Sequence, residues 1–212
     1  MKRVLSVLGI LLLLFVGYIW FFYFRGRKAR QKGPRPVALV VSKHSDLFNQ
    51  SVSNIMTAYY DMAEGFVKWD SSSINKYALE LKAALDSFKV DELQKDTVIY
   101  LTALDPLANA KAETAIILQS TTPEQRRVSF NNLSDNLRNL LVTVRYDREK
   151  IYWQECPMAF GEERAGNWLS KTDIVRNPYM GTSHPEYKDE MLTCGGPKDT
   201  INFIIPDTLN AR

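Results

Sequence analysis

Histidine is nearly missing from this sequence: His44 and His184 are the only two. Cysteine is as sparse, with Cys156 and Cys194 alone. There is no glycine-rich phosphate loop, no H-E-x-x-H pair and no G-x-S-x-G elbow. The usual signatures of nucleotide-binding, zinc-peptidase and serine-hydrolase chemistry are therefore absent. His44 stands just ahead of the first helical pattern, where a solvated ring is expected. The chain is read as not an enzyme. Acidic residues are missing from the first 36 positions, which hold eight Lys or Arg, whereas residues 37–212 carry 19 bases against 24 acids. The basic excess belongs to one flank. That argues against a nucleic-acid partner and for contact with anionic lipid headgroups.

The same flank contains a run of 21 uncharged residues, Val4 to Phe24. At the rise of an α-helix such a run spans a hydrocarbon core of roughly 30 Å. Tyr18, Trp20 and Tyr23 gather toward its far end, where amphipathic rings favour the membrane interface. The expectation is a transmembrane anchor over residues 1–24, followed by a tether over 25–43 that Gly33-Pro34-Arg35-Pro36 keeps from being helical. Counting bases on the two flanks places the body in the cytoplasm.

Periodicity dominates residues 44–150. Phe48, Val52, Ile55, Tyr59, Met62, Phe66 and Trp69 recur at alternating steps of four and three, one apolar stripe on a helix from Ser45 to Trp69. A second stripe holds Ile74, Tyr77, Leu81, Leu85 and Phe88. A third helix is expected from Asp91, with Asp91 and Gln94 as a capping box, and Leu93, Thr97, Leu101, Leu104, Ala108, Ala112 and Ala115 along one face. Pro106 should kink or divide it after Leu104. A fourth starts at Thr122-Pro123, with Phe130, Leu133, Leu137, Leu140 and Val144 on its buried side. The fold class expected is all-α: an antiparallel four-helix bundle with an N-terminal transmembrane helix.

Composition changes at Ile151. Residues 151–212 hold five of the nine Pro, five of the ten Gly and both Cys. This is a loop-rich segment expected to pack on the bundle. Ile151–Trp153 and Ile201–Ile205 are strand candidates that could pair. Met158 lies two positions after Cys156, and Met191 three before Cys194. Thiolates and thioethers are soft ligands suited to Cu(I), and His184 could add an imidazole. A disulfide between Cys156 and Cys194 is the alternative, and two unrelated thiols a third.

The tail motifs Cys156-Pro157-Met158-Ala159, Gly166-Asn167-Trp168-Leu169-Ser170, Asn177-Pro178-Tyr179 and Met191-Leu192-Thr193-Cys194-Gly195 resemble those of a bacterial domain-of-unknown-function family, numbered 3347. Its members occur alone on membrane-anchored proteins and on adaptor subunits of heavy-metal efflux pumps. The likeness covers residues 45–205. The sequence departs from the shorter form of the pattern in Gly181 to Glu190, and it shows no adaptor barrel or hairpin. The resemblance implies a periplasmic body on a single-pass inner-membrane anchor, against the charge count. It also implies an accessory role in copper or soft-metal handling, with a metal-efflux system or another envelope protein as partner. The other reading is a non-catalytic envelope interaction module stapled by a disulfide.

Overall fold

The computed structural model describes residues 13, 15–21, 43–161 and 164–204. The chain divides into two units, residues 1–39 and 40–212. Of the first unit, only residue 13 and residues 15–21 are described, and they are helical. Among the described residues no helix is long and apolar enough to cross a membrane. The expected transmembrane helix and single-pass inner-membrane placement are corrected accordingly. The rest of Val4 to Phe24, and the tether up to residue 42, lie outside the described residues.

The second unit begins its regular structure with α1 (Asp46–Val67). The Ser45 side chain caps it by accepting the Phe48 N–H. Phe48, Val52, Ile55, Tyr59, Met62 and Phe66 are all buried, as the stripe requires. The helix ends where Trp69 takes a left-handed φ of 57° and the Asp70 N–H reaches back to the Gly65 carbonyl at 3.0 Å. Asp70 then caps α2 (Ser71–Asp86) by accepting from the Ser72 and Ser73 N–H groups. Ile74, Ala78, Leu81 and Leu85 of α2 are buried.

The third helix departs from expectation. Residues Val90–Lys95 form a 3-10 turn, and α3 (Thr97–Gln119) starts only after Asp96, whose carboxylate accepts the Val98 and Ile99 N–H groups. Asp91 and Gln94 do interact, side chain to side chain, but inside the 3-10 turn. Pro106 lies within α3 without dividing it. The buried face is Ala103, Leu107, Ala110, Thr114 and Ile117, whereas Leu101, Ala108 and Ala112 are exposed. In a helix this rich in Ala and aliphatic residues, several faces read as apolar, so spacing alone does not select one.

Helix α4 (Pro123–Val144) has the expected start: Thr122 accepts the Gln125 N–H and Pro123 occupies the first position. Phe130, Leu133, Leu137, Leu140 and Val144 are buried. Consecutive helices pack on one another. Ring contacts of Phe130 with Tyr59 and Phe66, at 5.3 and 4.7 Å between centroids, join α4 back to α1.

The all-α expectation with a strand pair is corrected by a three-stranded antiparallel sheet. Strand β1 (Ile151–Cys156) lies between β2 (Gly166–Ser170) and β3 (Gly196–Ile201). Ile151 does pair with Ile201, but β3 runs upstream of Ile201, and β2 is an additional strand. Only short hydrophobic runs mark these strands, and β3 is Gly-Pro-Lys-Asp-Thr-Ile, with no strand-like composition.

The sheet is tied to the bundle through Tyr59. Its side chain is fully buried, and its hydroxyl accepts the Leu169 N–H of β2 at 3.0 Å. Ser134 already donates to the Phe130 carbonyl, so the Tyr59 O–H donates to Ser134 Oγ at 2.6 Å. Burial holds the phenol well above its ordinary ionisation range, and the two hydrogen bonds offset only part of that rise. We predict that Tyr59→Phe, which strands a buried N–H, lowers unfolding free energy by about 1–3 kcal/mol, measured by urea denaturation. An unchanged midpoint would mean that this bond does not hold the sheet to the bundle.

Candidate functional site

Two places in the second unit gather chemistry-bearing side chains. The first holds both cysteines. Cys156 ends β1, and Cys194 precedes β3, so strand pairing brings them to the same end of the sheet. Gly195 makes the approach possible. Its φ is 108°, and a Cβ there would stand 2.2 Å from the Glu155 carbonyl oxygen. The two sulfurs lie 3.2 Å apart and both cysteines are free. A disulfide requires about 2.05 Å, so the expected bond is corrected to a pair of neighbouring thiols.

The expected metal ligands divide between two places. Among the described residues no group of three or more His, Cys, Asp or Glu is placed to hold a metal, which corrects the metal-binding expectation. His184 is engaged with aromatic rings: it stacks on Tyr187 and meets Trp69 edge-on, at 5.0 and 5.6 Å between centroids. Its Nδ1 accepts the Glu186 and Tyr187 N–H groups. Burial, then the Arg127 charge, depress its pKa below the ordinary histidine value, so the ring is neutral at pH 7. Met158 is half-buried and lines the cavity that contains His184. Met191 is also half-buried, and its carbonyl accepts the Cys194 N–H at 3.0 Å. His44, expected in solvent, instead bonds the Val144 carbonyl through Nε2 at 2.7 Å and stacks on Phe48.

The second place is that cavity, about 570 Å³ in volume, between the end of α1, the start of α4 and the C-terminal segment. Trp69 and Arg127 come from the helices, and Phe160, Tyr179, His184 and Tyr187 from the segment. Arg127 is 7% exposed. Its Nε donates to the Tyr179 carbonyl at 3.1 Å, and its terminal nitrogens to the carbonyls of Pro123 and Phe66. The guanidinium stacks 3.7 Å from the centre of the Trp69 ring, whose Nε1–H donates to the Met180 carbonyl at 2.8 Å. Desolvation pulls the Arg127 pKa down to about 10, which leaves it charged at neutral pH.

Asn177 organises the segment behind this cavity. It is fully buried, and its Oδ1 accepts the Tyr179 and Met180 N–H groups. Its Nδ2 donates to the Cys194 carbonyl at 2.9 Å. One side chain thus links the thiol pair to the cavity wall. Sequence reasoning met Asn177 as part of a tail motif, and it passed over Arg127, Trp69 as a cavity residue, Phe160 and Tyr187. No family model matches the chain, and no curated protein or solved structure matches it.

Two predictions follow from this geometry. Burial, followed by the neighbouring Cys156, pushes the Cys194 thiol up to about 11. Only about one thiol in a thousand is then ionised at pH 8, and because the thiolate is the nucleophile, alkylation of Cys194 by iodoacetamide should be slow and should accelerate with pH toward 11. A rate already at its plateau by pH 8 would contradict it. At Gly181, φ is 62° and a Cβ would meet the Val67 carbonyl oxygen at 2.4 Å. Gly181→Ala should therefore cost about 2 kcal/mol or more in thermal or urea unfolding. A neutral effect would show that the segment does not pack against the end of α1 in this way.

Proposed function

We propose that this chain is a non-catalytic binding module that holds a small, largely apolar molecule in the cavity beside Trp69 and Tyr179. One observation carries the reading: bundle and C-terminal segment together wall a cavity of about 570 Å³ with aromatic rings. That volume falls within the roughly 300–1,000 Å³ of small-molecule sites, and such sites favour the junctions between packed parts. Fixed walls favour binding over mere surface relief: Trp69 is bonded to the Met180 carbonyl, and Tyr179 is fully buried with its hydroxyl donating to the Asn167 carbonyl. The two histidines are engaged in packing and backbone hydrogen bonds. That supports a role without acid–base catalysis. The likeness of the tail motifs to a family that accompanies efflux adaptors supports an accessory role in the same sense.

Titration of the purified protein with the uncharged fluorophore N-phenyl-1-naphthylamine tests the reading. Saturable binding at one site is expected. Met158→Trp, which fills the cavity from one wall, should weaken it about ten-fold, the equivalent of roughly 1.4 kcal/mol. Absence of saturable binding, or equal affinity in the filled variant, would overturn the assignment.

A further inference from the structure

We infer that the cavity selects an aromatic carboxylate, with Arg127 as the group that receives the anion. This inference rests on the proposed binding role and specifies its ligand. A guanidinium has five N–H donors. Three are used by the carbonyls of Tyr179, Pro123 and Phe66. One N–H remains on each terminal nitrogen, which supplies two donors for the two oxygens of a carboxylate.

Arg127 carries its charge at a nearly buried position. Among the described residues, no carboxylate lies within ion-pair distance of it, whereas three of the more exposed arginines of the unit find one: Arg138 with Asp199, Arg148 with Asp46 and Arg176 with Glu64. The bonded carbonyls are neutral dipoles, so a buried positive charge is solvated but not neutralised. A ligand anion would supply the missing charge. Two further features favour it. The positive end of α4 borders the cavity through Pro123 and Glu124. The indole of Trp69 covers one face of the guanidinium and continues as apolar wall, so a flat ring can lie beside the anion site.

Besides Arg127, the titratable groups around the cavity are Glu124 and Glu186, both exposed at its lining, the phenols of Tyr179 and Tyr187, Lys188 close to His184, and His184 itself, neutral at pH 7. The two glutamates oppose an anion, but through solvent. Arg127 acts from a buried position with less screening, so its term dominates.

A matched pair of probes tests the class: 2-naphthoate and its uncharged isostere 2-naphthamide, each displacing N-phenyl-1-naphthylamine from the full-length protein at pH 7. The naphthoate should bind at least about ten-fold tighter than the amide, as a charge-assisted bond in a desolvated site requires. Arg127→Gln should abolish the preference for the carboxylate over the amide, each probe's binding being read directly by calorimetry whether or not overall affinity falls, and Arg127→Lys should keep part of the preference. Equal affinities in the wild type, or a preference that survives Arg127→Gln, would overturn the inference and leave the binding role standing. Failure of the uncharged fluorophore to bind the wild type would instead remove the binding role, and this inference with it. Should Arg127→Gln fail to fold, the wild-type ratio decides, measured at low salt and at high salt: a preference that survives high salt supports the buried anion site, and a preference lost with salt, or absent at both, rejects it.

Discussion

A guanidinium buried without a counter-ion is costly unless its donors are bonded, and the packing around Arg127 is arranged by that constraint. The carbonyls that solvate it come from three stretches of chain: Phe66 near the end of α1, Pro123 at the start of α4, and Tyr179 in the C-terminal segment. Each carbonyl must be held where the fork of N–H groups can reach it. Phe66 O, in the last turn of α1, also accepts the Trp69 N–H at 3.1 Å, and Pro123 O is offered by the first turn of α4. Tyr179 O is presented by a turn that Asn177 closes from inside. Loss of the charge would release all three at once. Trp69 adds to this by stacking on the guanidinium and bonding Met180, the residue after Tyr179.

From that joint the rest of the segment follows. Gly181 passes against the Val67 carbonyl, which Thr182 N–H then bonds at 2.8 Å. On the opposite side of the segment, Asn131 accepts the Asn167 N–H at 2.8 Å and Tyr59 accepts that of Leu169. Helix α4 therefore holds the segment at two levels, through Arg127 and through Asn131. Asn177 carries the connection onward to Cys194, and Gly195 turns that residue into β3 beside β1. The thiol pair sits at the far end of this chain of bonds. Its closeness is a consequence of strand pairing and of Gly195, with no covalent bond required.

How much of this could be read in the sequence depends on how sharply a pattern excludes its alternatives. In α1, α2 and α4 the apolar positions are large and the positions between them polar, so the stripes Phe48–Phe66, Ile74–Leu85 and Phe130–Val144 match the buried faces. In α3 small and aliphatic residues lie all round, and the face chosen by spacing was rotated from the one that packs, Ala103–Ile117. Strand β2 was missed because Gly-Asn-Trp-Leu-Ser is too short to alternate, and its place is set by pairing with β1. A signal for the cavity did exist. Arg127 stands three residues before Phe130 on the buried stripe of α4, where a charged side chain is out of place. The cysteines were legible as a pair, but their chemistry was not. Softness of the ligands suggested copper with His184, whereas the fold sends His184 to the aromatic cavity and leaves the sulfurs as thiols.

The central claim is that one buried guanidinium joins the C-terminal segment to the bundle. Backbone hydrogen exchange in Arg127→Met, which keeps most of the apolar stem and removes the donors, tests it most directly. The account predicts that the amides of Gly181 and Thr182 lose protection by an order of magnitude or more relative to wild type, while those in the middle of α1 and α4 keep theirs. Unchanged protection at Gly181 and Thr182, with the helices also unchanged, would contradict it.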